Sequence, residues 1–255
     1  MPTSDHRIVA LVPARGGSTR IPRKNIRLLA GRPLLSYTIA AAKESGIFAG
    51  IFVSTEDEEI GRMAVRQGGV CWIKRPPEMA ESSSPDIEWL THALEYETYC
   101  AGDFDAFAIL RPTSPLRTAD TIQRAWAEWL QWGDKVDSLR AVQPVSEPPC
   151  KMWQYGQDGV VPRLIPNCQC FEAGRRPVPP HHSRASQSLP RRFIQNASLE
   201  IAWVNTVLQQ HSISGERVMP FFTDGYEGFD LNQPDDWFYL EFLLKTGQVT
   251  LPEIV

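Results

Sequence analysis

Leu11-Val12-Pro13-Ala14-Arg15-Gly16-Gly17-Ser18-Thr19-Arg20-Ile21-Pro22-Arg23-Lys24-Asn25 runs out of the apolar stretch IVALV at 8–12. A short, nearly continuous apolar run is what a strand covered on both faces requires. Two adjacent glycines behind such a strand let successive N–H groups turn toward an anion, because no side chain blocks the close approach. Arg15, Arg20, Arg23 and Lys24 put four cations into ten residues. Arginine can grip phosphate oxygens in pairs, and lysine acts as a point charge. The loop therefore reads as a triphosphate clamp, with a solvated basic turn as the plainer reading. It is not a P-loop, since GK[ST] after a four-residue spacer is missing, and it is not GxGxxG.

Working outward, 51–53 (IFV), 70–73 (VCWI) and 106–110 (AFAIL) are further short apolar runs that read as buried strands. Helical patterns lie between them. Pro33 suits a first helical position, Leu35, Thr38, Ile39 and Ala42 follow at helical spacing, and Gly46 stops the run. Residues 56–67 open with four acidic side chains, favourable at a positive helix N-terminus, and carry Ile60, Met63 and Ala64 on one face. Residues 86–98 start near Asp86 and turn Ile87, Leu90 and Leu94 inward, while 119–132 bear the stripe Ile122, Ala125, Trp126, Trp129, Leu130. Those tryptophans read as packing. Short connections between alternating strands and helices imply right-handed parallel crossovers, hence an α/β fold with a doubly wound, mainly parallel sheet of the Rossmann-like kind. Ligands of such sheets bind outside the carboxyl ends of the strands.

From 144 to 190 the texture changes: nine of the 21 prolines fall there, with Arg163, Arg175, Arg176 and Arg184, and Arg191 and Arg192 follow. This reads as an insertion and not as more sheet, dividing the chain into 1–144 with 196–255 as the α/β domain and 145–195 as the insertion. Beyond it, 199–204 and 218–222 read as returning strands, and 234–246 as a closing helix with Pro234 at its start and Gly247 after it.

The chain has 255 residues, 42% hydrophobic, with a formal charge of −4. That balance argues against a nucleic-acid partner. No window reaches the roughly 20 apolar residues of a membrane span, and the apolar stretch after MPTSDHR is too short for a signal peptide, so the expectation is a cytoplasmic protein without a membrane partner. Five widely spaced cysteines (Cys71, Cys100, Cys150, Cys168, Cys170) do not suggest a disulfide framework. Cys168-Gln169-Cys170 lies near His181-His182, but the second pair of a zinc finger is missing, and plain loop residues are the favoured reading.

A first strand followed by PARGGSxRIPRKN resembles the CMP-sialic acid synthetase family, the cytidylyltransferases that activate nonulosonic acids. Gly31-Arg32-Pro33-Leu34 is similar to the family's GxPL, Val53-Ser54-Thr55-Glu56-Asp57 to its VSTD and Lys74-Arg75-Pro76-Pro77-Glu78-Met79-Ala80 to its RPxELA. Arg111-Pro112-Thr113-Ser114-Pro115-Leu116-Arg117 looks like its QPTSPLR, and Gly228-Phe229-Asp230-Leu231-Asn232 like its metal segment. Order and spacing agree over about residues 7–240.

The resemblance implies a nucleotidyltransferase in which the anomeric hydroxyl of an α-keto acid sugar attacks the α-phosphorus of CTP and releases pyrophosphate. Positioning and cations should then dominate catalysis, because the charge to be stabilised lies on phosphate oxygens. By similarity Arg15 and Lys24 hold the triphosphate, Ala14, Gly16, Gly17 and Ser18 supply the backbone cradle, and Asn25 touches the nucleotide. Arg75 with Ser83 and Ser84 approaches base and ribose, although Ser82 to Ser84 are equally suited to capping the next helix. Arg111, Thr113, Ser114, Gln187, Gln195 and Asn196 are the implied sugar contacts. Asp230 is the implied Mg²⁺ ligand, joined by Asn232, which stands in for the second carboxylate of the family's D-x-D pair and brings no charge. Asp235 and Asp236 read as helix-start residues.

Two departures bear on specificity. The family's glutamine in QPTSPLR is Arg111, which suits an anionic substituent. In the stretch similar to RRQxLPxxxRPNGAIY, the arginine becomes Ile194 and the Gly-Ala pair becomes Ala197-Ser198. The sugar pocket is therefore rebuilt, and a nonulosonic acid other than N-acetylneuraminate is a realistic substrate. The insertion, with Trp153, Tyr155 and Phe171, matches the place of the family's dimerisation arm and implies a homodimer. Alternatives at this point are a GTP-using relative, a CMP-3-deoxy-octulosonate synthetase, against which RGGS and RIPRKN weigh, and a nucleotide-sugar-binding module weakened by Asn232.

Overall fold

The computed structural model describes residues 6–100, 104–158, 161–166 and 179–254. It divides into two compact units, Met1–Val142 with Gln195–Val255, and Gln143–Ile194.

The elements in chain order are β1 (Ile8–Pro13), β2 (Leu28–Leu29), β3 (Arg32–Pro33), α1 (Leu34–Ser45), β4 (Phe48–Thr55), α2 (Glu58–Arg66), β5 (Cys71–Lys74), α3 (Asp86–Cys100) and β6 (Ala106–Ile109). There follow α4 (Ala119–Trp132), β7 (Ser138–Pro144), β8 (Trp153–Asp158), β9 (Val161–Pro166), β10 (Phe193–Trp203), α5 (Val204–Leu208), β11 (Val218–Phe222) and α6 (Pro234–Lys245). The central sheet has seven strands in the order β11-β7-β10-β6-β1-β4-β5. β1 lies parallel to both β4 and β6, and β4 to β5 and β11 to β7 are also parallel, whereas β10 runs antiparallel to β6. The expected mainly parallel α/β architecture is present.

The alternation of β1 explains why its run is apolar throughout. Ile8, Ala10 and Val12 face a cluster that includes Leu35 and Ile39 of α1 and Trp126 and Trp129 of α4. Val9 and Leu11 face the opposite cluster, with Trp89 and Leu90 of α3 and Val207 of α5. A strand buried on both faces has no polar position to spare. The tryptophans pack as expected, Trp129 lying 4.1 Å from Trp203 between ring centroids. A third cluster joins Ile21 of the basic loop, Leu29 and Leu34 to Trp237 and Leu240 of α6, which anchors the far side of that loop.

Local signals set the helix ends. Asp57 caps α2, its Oδ1 accepting from the N–H groups of Glu59 and Ile60, and Thr118 and Thr121 form a reciprocal cap on α4. Pro33 stands one residue earlier than expected: it is extended, with ψ 137°, because it pairs with Leu28 in the β2-β3 ladder, and α1 begins at Leu34. Strand β7 has no counterpart in the sequence reading, since Arg140 interrupts its apolar pattern. β10 begins at Phe193, upstream of the expected 199. Within the insertion β8 and β9 form an antiparallel ladder of their own, separate from the central sheet, with Trp153 opposite Pro166. In that unit Trp153 lies edge-on to His182, and His181 and Cys150 are buried. Cys168, Cys170, Phe171, Arg175, Arg176 and the side chain of Tyr155 lie outside the described residues.

Gly61 of α2 shows how closely a helix meets this sheet: a Cβ placed there would come within 2.2 Å of the Trp72 indole. Overpacking of this kind costs about 1–3 kcal/mol. Gly61→Ala should lower the denaturant midpoint accordingly, with the slope of the transition unchanged, and urea unfolding followed by fluorescence checks it.

Candidate active site

The carboxyl ends of β1, β5 and β6 converge on a cavity of about 410 Å³. The loop after β1 contributes Arg15, Ser18, Lys24 and Asn25 to its wall, the segment after β5 Arg75, and the segment after β6 Arg111, Pro112 and Thr113. Ser82, Ser84 and Asp86 close one side, and Ala197, Asp230 and Asn232 another.

The basic loop is held by acids on the neighbouring strand end. Gly16 N–H donates to Glu56 Oε1 at 2.8 Å, and Ala14 N–H donates to the Ser54 carbonyl at 3.0 Å. Arg23, in the left-handed region at φ 54°, turns its guanidinium onto Asp57 and Glu59. The Asp57 carboxyl is held below its usual range: burial pushes it up, and its bonds from Ile60 N–H and Arg23 outweigh that. Of the four cations in the loop, Arg15 and Lys24 therefore line the cavity, while Arg23 serves as a strut.

Asn25 is buried and donates through Nδ2 to the Arg15 carbonyl at 2.8 Å, which fixes the turn on which Arg15 stands. Lys24 Nζ donates to the Leu231 carbonyl at 2.6 Å and so reaches across to the segment of Asp230. Burial lowers the Lys24 pKa; the Asp230 carboxylate opposes this, and Arg20 and Arg15 add to it. Arg75 is buried against Ser54, donating to its Oγ at 3.1 Å and its carbonyl at 3.0 Å, with its guanidinium 5.0 Å from the Trp89 ring centroid. Desolvation brings its pKa down to about 10, partly offset by Glu56 and Asp86, so it stays charged at neutral pH.

At the other end Arg111 donates to Asp86 at 2.6 Å and to Glu200 at 3.2 Å. Arg117 is fully buried, binding the carbonyls of Arg111 and Ser198 and, at 3.0 Å, Thr38 Oγ1. It pins the Arg111–Thr113 turn to α1 and β10.

A cytidylyltransferase family model matches residues 9–142. The chain belongs to the cytidylyltransferase family. It is 31% identical to the CMP-N,N'-diacetyllegionaminic acid synthase of Legionella pneumophila over 96% of this chain and 99% of that protein. It is 30% identical to the post-translational flagellin modification protein B of Campylobacter coli over 93% and 95% of the two chains. The solved CMP:2-keto-3-deoxy-manno-octonic acid synthetase complexed with CTP shares the fold, with a TM-score of 0.63 at 14% identity over 94% of this chain and 99% of that one.

Asp230 is the residue of this cytidylyltransferase whose surroundings speak for a cation. Its Oδ2 accepts from Asn232 Nδ2, and its Oδ1 is buried without a hydrogen-bond partner among the described residues. An open carboxylate oxygen beside an amide suits a hard dication that takes its remaining ligands from water and phosphate. Among the described residues no three His, Cys, Asp or Glu side chains form a cage. Asp236 acts at the helix start: its Oδ2 accepts from Asn232 N–H at 2.7 Å and Gln233 N–H at 2.6 Å, which shapes the turn presenting Asp230.

Not every residue singled out in the sequence lines the cavity. Gly17 and Ser83 are exposed beside it, and Ser114 is buried behind Thr113, whose carbonyl accepts from Leu231 N–H at 2.8 Å. Asn196 Nδ2 donates to Thr223 Oγ1 and Oδ1 accepts from Ser198 N–H, so its amide braces the sheet while Ala197 faces the cavity. Gln195 is exposed on β10, and Gln187 lies in the second unit on the short turn Ser186–Ser188. Among the described residues none of the serines 82 to 84 bonds to the start of α3; Ser84 Oγ donates back to the Glu78 carbonyl at 2.7 Å. Sequence reasoning missed Glu56, Asp86 and Glu200. Only the excess of cations signalled that nearby carboxylates were needed.

Gly16 is required by its neighbour: a Cβ there would lie 2.7 Å from Asp57 Oδ2. Gly16→Ala should displace the loop and raise the KM for nucleotide about tenfold or more, the scale of one lost charge-assisted contact. Steady-state kinetics with the second substrate saturating checks it.

Proposed function

We propose that this cytidylyltransferase joins CTP to a nonulosonic acid, giving a CMP-sugar and pyrophosphate. The observation that carries the reading is that Lys24, bonded to the Leu231 carbonyl, and Asp230, whose Oδ1 lacks a hydrogen-bond partner among the described residues, share the wall of a cavity otherwise rich in cations. Arg15 and Lys24 bind and orient the triphosphate, with Ser18 on the same wall, while the N–H groups of Ala14 and Gly16 are spent on Ser54 and Glu56 and hold the loop in place; Arg75 approaches the nucleoside. The anomeric hydroxyl oxygen of the sugar bonds to the α-phosphorus as the bond to the bridging oxygen breaks, and Lys24 and Arg15 meet the charge that gathers on the leaving pyrophosphate. Asp230, with Asn232 beside it, would hold Mg²⁺, which neutralises phosphate charge when bound. Arg111 and Thr113 face the sugar. The reading also takes the protein as a cytoplasmic homodimer whose second unit serves as the dimerisation arm; no described helix is long and apolar enough to cross a membrane.

The test is pyrophosphate release with Mg²⁺ over CTP, GTP, UTP and ATP. Each is paired with N,N'-diacetyllegionaminic acid, pseudaminic acid, N-acetylneuraminic acid and 2-keto-3-deoxy-manno-octonic acid. Turnover with CTP and one of the first three sugars is expected. Turnover confined to another nucleotide or to the octonic acid, or silence throughout, overturns the reading.

A further inference from the structure

At the sugar end of the cavity Arg111 is tied into a charge cluster whose other members the reaction as described does not use. Glu200, in the middle of β10 opposite Ile109 of β6, is a buried carboxylate, and two guanidiniums close on it. Arg111 reaches its Oε1, with Nη2 at 3.2 Å and Nε at 3.4 Å, and Arg140 of β7 pairs with its Oε2. Arg111 Nη2 also donates to Asp86 Oδ2 at 2.6 Å, and Asp86 is itself steadied by the Trp89 indole N–H, which donates to Oδ1 at 2.8 Å. Two positive and two negative charges thus form a chain from the sheet to the cavity wall: Arg140, Glu200, Arg111, Asp86. The Asp86 carboxyl sits below its usual range, since Arg111 outweighs the opposing effect of burial.

The two guanidiniums repel each other, and burial together with Arg111 lowers the Arg140 pKa to about 10. Glu200 is the group that makes their closeness tolerable. Arg111 spends Nε and Nη2 on the two carboxylates, while Nη1 makes no hydrogen bond among the described residues. The planar fork is therefore clamped along one edge and open at the remaining nitrogen, the arrangement that presets a guanidinium for a planar acceptor.

We infer that Glu200 is a positioning residue for the sugar: held by Arg140, it fixes the Arg111 guanidinium with Asp86 so that Nη1 meets an anionic or carbonyl oxygen of the acidic sugar. The inference rests on the proposed function, because it takes the occupant of that end of the cavity to be the second substrate. Glu200 touches no substrate itself and acts through Arg111, so its effect should be confined to one substrate and should vanish when Arg111 is gone.

The experiment is a double-mutant cycle on the full chain. Wild type, Glu200→Gln, Arg111→Gln and the double variant are assayed by pyrophosphate release with CTP and whichever sugar of the panel the wild type turns over best. Glu200→Gln should raise the sugar KM at least tenfold while the KM for CTP stays within about twofold. The double variant should resemble Arg111→Gln alone, since the two residues work as a unit. If Glu200→Gln does not fold because Arg140 is left unpaired, the cycle is run on an Arg140→Gln background. Equal shifts in both KM values, an unchanged sugar KM, or additive losses in the double variant overturn the inference while leaving the proposed function intact. A wild type that turns over no sugar overturns both.

Discussion

Lys24→Ala abolishes most of the pyrophosphate release, lowering kcat about 10³-fold or more, the scale of losing a preorganised group aimed at developing charge. The expectation follows from where the ammonium stands. It is desolvated, so its charge is poorly screened, and it donates to the Leu231 carbonyl between the basic loop and the turn that bears Asp230. Removing it deletes a cation from the phosphate end and unties the two walls at once. Folding should survive, because the lost hydrogen bond is worth about 1 kcal/mol and the melting temperature should fall by only about 2–4 °C in a chain of this size. Lys24→Arg should not rescue activity: the planar fork cannot occupy the site of a compact ammonium already satisfied by one carbonyl. Single-turnover rates alongside thermal melts check both halves, and near-normal turnover in Lys24→Ala would remove this residue from the mechanism.

Asp230→Ala should cost about 10²–10³-fold in turnover at ordinary Mg²⁺ concentrations, with part of the loss recovered as Mg²⁺ is raised. The physical basis is the orphaned Oδ1: a buried carboxylate oxygen without a hydrogen bond is costly to the fold and is retained where a ligand supplies the missing partner. Stability should accordingly be unchanged or higher in Asp230→Asn, which keeps the shape and removes the charge, even as activity falls. Asn232→Asp makes the converse test. It restores a second carboxylate and should lower the Mg²⁺ concentration at half-maximal rate about tenfold, since ligand charge tunes the affinity of hard cations. Mg²⁺ titrations of the three variants, monitored by pyrophosphate release, decide the matter.

Much of this was legible before the fold was known. β1 and β6 announce themselves because both faces are covered, so every position is apolar, and α2 and α6 because Asp57 and Pro234 mark their starts. The basic loop is legible for the same local reason: charges and glycines lie together in the chain. β7 was not, because Arg140 breaks its pattern, and an arginine inside a strand makes sense only once Glu200 is beside it. Spacing alone could not separate the four loop cations; only the family resemblance singled out Arg15 and Lys24. The left-handed turn at Arg23 and the acids after β4 send that side chain to Asp57 and Glu59 and leave Arg15 and Lys24 to the cavity.

By itself, then, the sequence determined what depends on neighbours along the chain: the apolar periods, the helix ends, the anion-binding turn and the likeness to cytidylyltransferases. The tertiary structure alone decided which carboxylate meets which cation. The strand order sets β10 against β6 with β7 on its far side and brings Asp86 of α3 to the end of β6. Coulomb and hydrogen-bond partners are chosen by distance in space, and spacing in the chain carries no record of it.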